Sequence, residues 1–263
     1  MKLYQRTIAL NGKHNEEIII SKEELEYTTK YRNNSDLYVG TTKVSQEGRN
    51  GIQTITTKVI YDDEGNEISR EQLSAIVTKA SLDKIIDIGT KVGEEKKGNN
   101  NLSFNLALNK KSGLSLSQFK SILTDSKDKN KVFQNNAQYF YYIEEEYNIN
   151  GVFVAALGIH ESGWGTSKIA KNKYNLFGYG AYDSNPYNGA YTFENYSESI
   201  DLIARVLVKY YLNPKGTKIY DNQVASGKYY NGNTLSAVNK KYATDKNWAN
   251  AIYKHMQYLY NKV

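Results

Sequence analysis

The chain has 263 residues, 40% hydrophobic and 24% charged, with no cysteine. That length fits two domains or one large one. The apolar share is enough for a packed core and excludes wholesale disorder, no apolar run approaches a membrane span, and disulfides, a thiol nucleophile and thiolate metal sites are excluded. Charge is uneven: residues 1–100 hold 15 Lys and Arg against 16 Asp and Glu, residues 101–263 hold 19 against 12. All seven Phe, both Trp, both Pro and 19 of the 24 Tyr also lie after residue 100. Two unlike halves read as two domains. The basic, aromatic half suits an anionic polymer or a sugar chain, since Lys and Arg attract charge and rings stack on flat faces. Its cations are scattered and not clustered between rings, which argues against nucleic acid.

Met1 to Arg6 lacks the apolar core of a targeting signal, and polar residues persist through Glu17. The expectation is a protein that acts where it is made, leaves by another route, or is a fragment of a longer secreted chain.

Residues 20–91 read as β. In Ile52 to Tyr61, β-branched residues dominate, with Ile55, Val59 and Tyr61 on one face at period two. Asp62-Asp63-Glu64-Gly65-Asn66 is a turn, and Glu67 to Val77 returns as the second strand of a hairpin. The turn lacks the alternating ligands and closing Glu of a calcium loop. Gly40, Gly48, Gly51, Gly65 and Gly89 are spread through this Thr-, Val- and Glu-rich pattern. The segment, about residues 21–91, resembles the five-glycine ("G-five") extracellular module. The resemblance implies an elongated all-β spacer with a thin core, a family for which N-acetylglucosamine binding has been proposed. The plainer account is that the glycines supply turns with positive φ, and a spacer is the favoured role.

Gly93 to Asn101 is a polar stretch without periodicity, and residues 93–104 read as a linker. Beyond it the period turns helical. Ser117–Leu123, Val132–Tyr147 and the almost wholly apolar Val152–Glu161 are predicted helices, the last a buried central one. Glu144-Glu145-Glu146 reads as a solvated face. Ile200, Ile203, Ala204, Leu207 and Tyr211 keep helical spacing, as do Trp248, Ala251, Ile252, Met256 and Leu259. Residues 174–196, rich in Gly, Tyr and Asn, read as a loop or small β lobe between helices.

The stretch Ala155 to Gly165 carries the chemistry. A buried apolar helix ends in Glu161, and Gly163 and Gly165 then break it. A carboxyl at the rim of an apolar cleft has its pKa raised by desolvation, and the negative helix end pushes the same way. A general acid near neutral pH needs that shift. An ordinary helix-end Glu fits the same pattern, so the residues alone leave both readings open. Trp164 is placed as an aromatic wall or sugar platform. His14, His160 and His255 are far apart in sequence, and no metal site or catalytic triad is evident. Gly178 and Gly180 lack the flanking strand and helix of a nucleotide loop.

Glu161-Ser162-Gly163-Trp164-Gly165-Thr166-Ser167, Ala170, Asn175-Leu176-Phe177-Gly178 and Gly180 to Pro186 together resemble the bacterial N-acetylglucosaminidase family, glycoside hydrolase family 73. Thr192-Phe193, Ser197-Glu198-Ser199-Ile200, Tyr242-Ala243-Thr244-Asp245 and Trp248-Ala249 extend the resemblance over Leu114 to Val263. It implies an α+β chain of two domains, residues 1–92 and 105–263, the second a mostly helical lysozyme-like domain with a small β lobe across the cleft. It implies cleavage of the β-1,4 bond after N-acetylglucosamine in peptidoglycan, by a host autolysin or a phage lysin at the bacterial cell wall. It places the catalytic acid on Glu161 and a cleft tyrosine, to bind the acetamido group or steady developing charge, on Tyr242. Trp164, Asn175, Phe177, Tyr182 and Trp248 become substrate-binding candidates, although the register of Trp248 with Ile252 and Met256 also fits plain core. The second carboxylate is open: Asp183 is favoured, as a residue of the folded-back lobe, over Glu194, and the substrate's own N-acetyl group needs neither. Asp183 also fits a turn before Pro186. No cofactor or metal is expected. The partners expected are peptidoglycan strands and anionic wall polymers, with no nucleic acid or membrane insertion, and the protein is expected to be a monomer. The competing readings are a lytic transglycosylase working with one Glu and a non-catalytic wall-binding or adhesion protein.

Overall fold

The computed structural model describes residues 4–11, 14–91, 102–181 and 186–263. Among the described residues seven strands precede eight α-helices: β1 Tyr4–Asn11, β2 His14–Leu25, β3 Thr29–Tyr38, β4 Thr42–Gln46, β5 Gly51–Tyr61, β6 Glu67–Lys79 and β7 Lys84–Lys91. The helices are α1 Leu116–Ile122, α2 Val132–Tyr147, α3 Gly151–Ser162, α4 Lys168–Lys173, α5 Pro186–Gly189, α6 Tyr196–Val206, α7 Leu235–Tyr242 and α8 Trp248–Tyr260. The chain divides into two compact units, residues 1–30 with 44–86 and residues 31–43 with 87–263.

The strands form an antiparallel sheet ordered β1-β2-β5-β6 and a three-stranded sheet ordered β3-β7-β4. The predicted hairpin is β5 and β6, paired from Ile52↔Lys79 to Tyr61↔Glu67. Asp62 Oδ1 accepts from the backbone N–H of Glu64 (3.0 Å) and Asn66 (2.7 Å), so this acidic side chain organises its own turn. Val59 is buried, while Ile68, Leu73, Ile76 and Val77 of β6 stay exposed. This first unit therefore holds little apolar interior.

The second unit is built around α3, whose residues Gly151 to Ile159 are all buried. α8, α2 and α6 pack on it. Its apolar sequence leaves no polar face for solvent, so only a central position satisfies it. Asn150 caps it, accepting from the Phe153 N–H at 2.8 Å. Gly151 is required by close approach: a Cβ there would lie 2.1 Å from the Phe140 carbonyl oxygen.

Glu144 departs from the expected solvated face. It is 1% exposed and accepts from the Gly151 N–H, the Ser112 N–H (2.9 Å) and the Ser112 hydroxyl (2.9 Å). Its neighbour Glu145 does reach solvent and pairs with Lys111 at 2.7 Å. The orphan N–H at the start of α3 needs an acceptor, and the end of α2 supplies it.

The expected β lobe takes another form among the described residues. Residues 174–181 are turns, α5 is a single helical turn, and the β pairing beyond residue 101 is the bridge Lys218↔Val224. The Gly- and Asn-rich composition favours turns over strands there. Of the expected linker, residues 93–101 lie outside the described residues, whereas Leu102 and Phe104 pack on the helical core.

Residues 31–43 group with the helices. The Tyr31 ring meets Tyr139 at 4.8 Å and Tyr142 at 6.2 Å, and Tyr141 Oη donates to the Gly40 carbonyl at 3.2 Å. Aromatic pairs contribute about 0.5–1.5 kcal/mol each beyond area burial. A fragment 105–263 is therefore expected to fold but to melt several degrees below the helical unit of the full chain. Calorimetry of both decides this, and identical melting temperatures would remove the role given to Tyr31.

Candidate active site

The C-terminal end of α3 opens into a cleft of about 650 Å³. Gly163, in the left-handed region at φ 55°, caps the helix one residue after Ser162 and lets the chain turn away. Glu161 is left exposed at the cleft mouth, beside exposed His160, on the last turn of a helix whose residues Gly151 to Ile159 are buried. Phe177, Tyr179, Ile203, Tyr211, Tyr242 and Trp248 face it around the cleft.

Electrostatics at Glu161 follow from this placement. Desolvation of the carboxyl against the cleft wall raises its pKa above the ordinary value; His160 and the Trp248 indole oppose the shift. The Trp248 Nε1–H is buried without a hydrogen-bond partner of normal geometry, yet its positive end still favours the carboxylate. Tyr242 is held as a neutral phenol: burial raises its pKa first, and the Glu161 charge raises it further. The cleft thus pairs a carboxyl whose proton is retained to higher pH with a phenol that keeps its donor hydrogen.

Aromatic packing fixes the far wall. The Tyr242 ring lies 5.1 Å from Trp248 and 5.4 Å from Tyr211. Tyr211 ends a π-helical turn, Leu207–Tyr211, that extends α6. The extra residue in such a turn rotates the side chains that follow it, a common device beside functional sites. Trp248 is 3% exposed, so it is both core and cleft floor.

Two sequence candidates take other places. Trp164 has a left-handed backbone, φ 59°, costly for a bulky residue. Its ring packs edge-on against Phe133 at 5.5 Å and Tyr258 at 6.5 Å, outside the cleft lining. The turn 163–165 brings the half-buried ring against the core at the end of α3, where it packs beside the cleft and not within its lining. Asn175 is 1% exposed and binds only backbone: its amide donates to the carbonyls of Tyr179 and Tyr191, both at 3.0 Å, and its oxygen accepts from Phe177 and Tyr179. It positions the wall that Phe177 and Tyr179 form.

Replacing Asn175 by Ala leaves buried backbone groups unpaired, at about 1–3 kcal/mol for each group not rehydrated. The variant is expected to lose about 2–4 kcal/mol of stability and to bind substrate more weakly, with KM affected more than kcat. Denaturant melts with steady-state kinetics test this; wild-type stability would show that the turn holds without Asn175.

Tyr182 and Asp183 lie outside the described residues. Glu194 is exposed, its N–H donating to Glu198 Oε2 at 3.0 Å, and it is not part of the cleft lining. Asp245 is a carboxylate of the lining that sequence reasoning passed over as a motif residue without a role. It is exposed and accepts from the Asn247 N–H at 2.8 Å, ahead of α8. Its position three residues after Tyr242 was the available signal. The histidines widely separated in sequence also meet: His160 and His255 lie 5.8 Å apart. Among the described residues no group of three His, Asp or Glu gathers at metal-binding range.

Comparison with known proteins finds two family models on the chain. The G5 domain model matches residues 16–91. The model described as mannosyl-glycoprotein endo-beta-N-acetylglucosaminidase matches residues 137–261. A putative endo-beta-N-acetylglucosaminidase of Streptococcus pneumoniae serotype 4 is 35% identical over 134 residues, covering 51% of this chain and 18% of that protein. A beta-N-acetylglucosaminidase of Bacillus subtilis strain 168 is 27% identical over 173 residues, covering 59% and 18%. The chain thus spans under a fifth of the length of these curated relatives. Among solved structures, a catalytic mutant of S. aureus Autolysin E in complex with the disaccharide NAG-NAM aligns at 22% identity and TM-score 0.42, covering 61% of this chain and 74% of that one.

Proposed function

We propose that this chain, a G5 domain over residues 16–91 and a glucosaminidase domain over residues 137–261, hydrolyses the β-1,4 bond after N-acetylglucosamine in peptidoglycan. The observation that carries the reading is the placement of Glu161: a carboxyl with raised proton affinity on a rigid helix end, facing the neutral phenol of Tyr242. In this mechanism Glu161 donates its proton to the leaving glycosidic oxygen as the bond to the anomeric carbon breaks. Tyr242 donates a hydrogen bond to the acetamido group of the sugar beside that bond. The half-buried Tyr179 ring offers an apolar face to a sugar ring, over a cleft floor that the buried Phe177 and Trp248 support.

Positive charge developing at the anomeric carbon needs a counter-charge. Asp183 remains the favoured carboxylate, Asp245 joins it by its place in the cleft, and Glu194 is the weaker candidate. Assistance by the N-acetyl group of the substrate is the remaining route. The protein acts at the bacterial cell wall, with residues 1–92 as a spacer and residues 105–263 as the catalytic part. Loss of turbidity of bacterial wall suspensions treated with the full chain tests the activity; walls left intact would refute it.

A further inference from the structure

A second groove, of about 810 Å³, adjoins the Glu161 cleft and shares with it the segment Tyr242 to Thr244. Lys240, Lys241 and Lys246 line it, with Asn250 and the Phe104 ring. All three lysines are exposed, and no Asp or Glu is among the lining residues. Lys240 and Lys241 stand in the last turn of α7, where cations offset the negative helix end. That accounts for two of the three. Lys246 lies beyond the helix, in the loop before α8, and its charge adds to the same groove.

Resting on the glucosaminidase reading, we propose that this groove is a specificity subsite for the acidic peptide substituents of the glycan strand, with Lys240, Lys241 and Lys246 receiving their carboxylates. The 242–244 segment lines both the Glu161 cleft and this groove, so a strand in the cleft lies beside the groove at that segment. A substituent on a sugar near that segment then reaches the groove without any change of path. Three cations in a groove whose own lining holds no carboxylate, with Asp245 turned to the neighbouring cleft lining, attract anions through their summed field, while their exposure keeps each single contact weak. The preference is therefore additive across the trio and fades with salt, on the Debye scale of about 10 Å at 0.1 M.

The test measures binding of fluorescent peptidoglycan strands to the full chain carrying Glu161→Gln, with and without K240Q/K241Q/K246Q. Three strand preparations are compared: native, amidated at the peptide carboxylates, and stripped of phosphate polymers. The proposal expects native and stripped strands to bind about tenfold tighter than amidated ones at low salt, and the triple variant to bind all three alike. A triple variant that discriminates as before overturns it. So does equal binding of all strands by the parent, or a lysine-dependent preference that vanishes on stripping, which would assign the groove to phosphodiesters. Failure of the glucosaminidase reading is separately visible as absence of strand cleavage by the wild-type chain.

Discussion

Glu161→Gln is expected to lower wall hydrolysis by about 10³-fold or more while leaving melting temperature and wall binding unchanged. General acid catalysis contributes 10²–10⁴-fold, and glutamine keeps the shape of the side chain without a transferable proton. Folding is spared because Glu161 is exposed and supports no buried contact that the amide cannot occupy. The pH dependence adds a second handle. The acid works only when protonated, so activity falls on the alkaline side, through a pKa that desolvation has raised above the ordinary carboxylate value. Turbidity rates and end-point digests on purified walls check both statements. A variant keeping more than a tenth of wild-type activity sinks the assignment.

Glu144→Ala is expected to be the most damaging change to stability, about 3–5 kcal/mol, from a position far from any chemistry. It removes the acceptor of the buried Gly151 N–H and of the half-buried Ser112 N–H and hydroxyl, a buried group costing about 1–3 kcal/mol when left unpaired. For a domain of this size that is a fall of about 10 °C or more in Tm. Burial pushes the Glu144 pKa up to about 8, against about 4.5 in the unfolded chain. The raised value means the fold holds a proton that the unfolded chain releases. The stability this provides is fully present below about pH 4.5 and is lost as pH rises through about 8. Glu144→Gln cannot titrate, so wild type should lose stability relative to it across that window. Thermal melts from pH 4.5 to 8.5 measure the difference; parallel curves would mean that Glu144 is ionised in the fold.

Glu144 also marks where sequence reasoning stops. Three successive glutamates look solvated, and nothing local reveals that the start of α3 lacks an acceptor that only the end of α2 can reach. The buried helix itself was legible, because an apolar run with no polar face has one place to go. So was the hairpin, because β-branched alternation around Asp62 to Asn66 admits little else. The site divided along the same line. Glu161, Phe177, Tyr242 and Trp248 were named from their motifs and do line one cleft. Trp164 and Asn175 sit in those motifs as well, but their roles depend on which way a left-handed turn throws a ring and which carbonyls surround an amide. Those are tertiary facts. Asp245 was missed for a related reason: spacing placed it near Tyr242 without saying that the loop before α8 lines the cleft. The grouping of residues 31–43 with the helices rests on ring contacts more than a hundred residues apart in sequence.

The most direct measurement of the central claim is the chemical identity of the chain ends released from purified peptidoglycan by the wild-type protein. Reduction with borohydride followed by mass spectrometry separates the outcomes. Hydrolysis after N-acetylglucosamine leaves reducing N-acetylglucosamine ends that take up hydrogen, and their formation should disappear with Glu161→Gln. Anhydro-muramic ends, which resist reduction, would contradict hydrolysis and identify a transglycosylase, and the absence of new ends would contradict catalysis altogether.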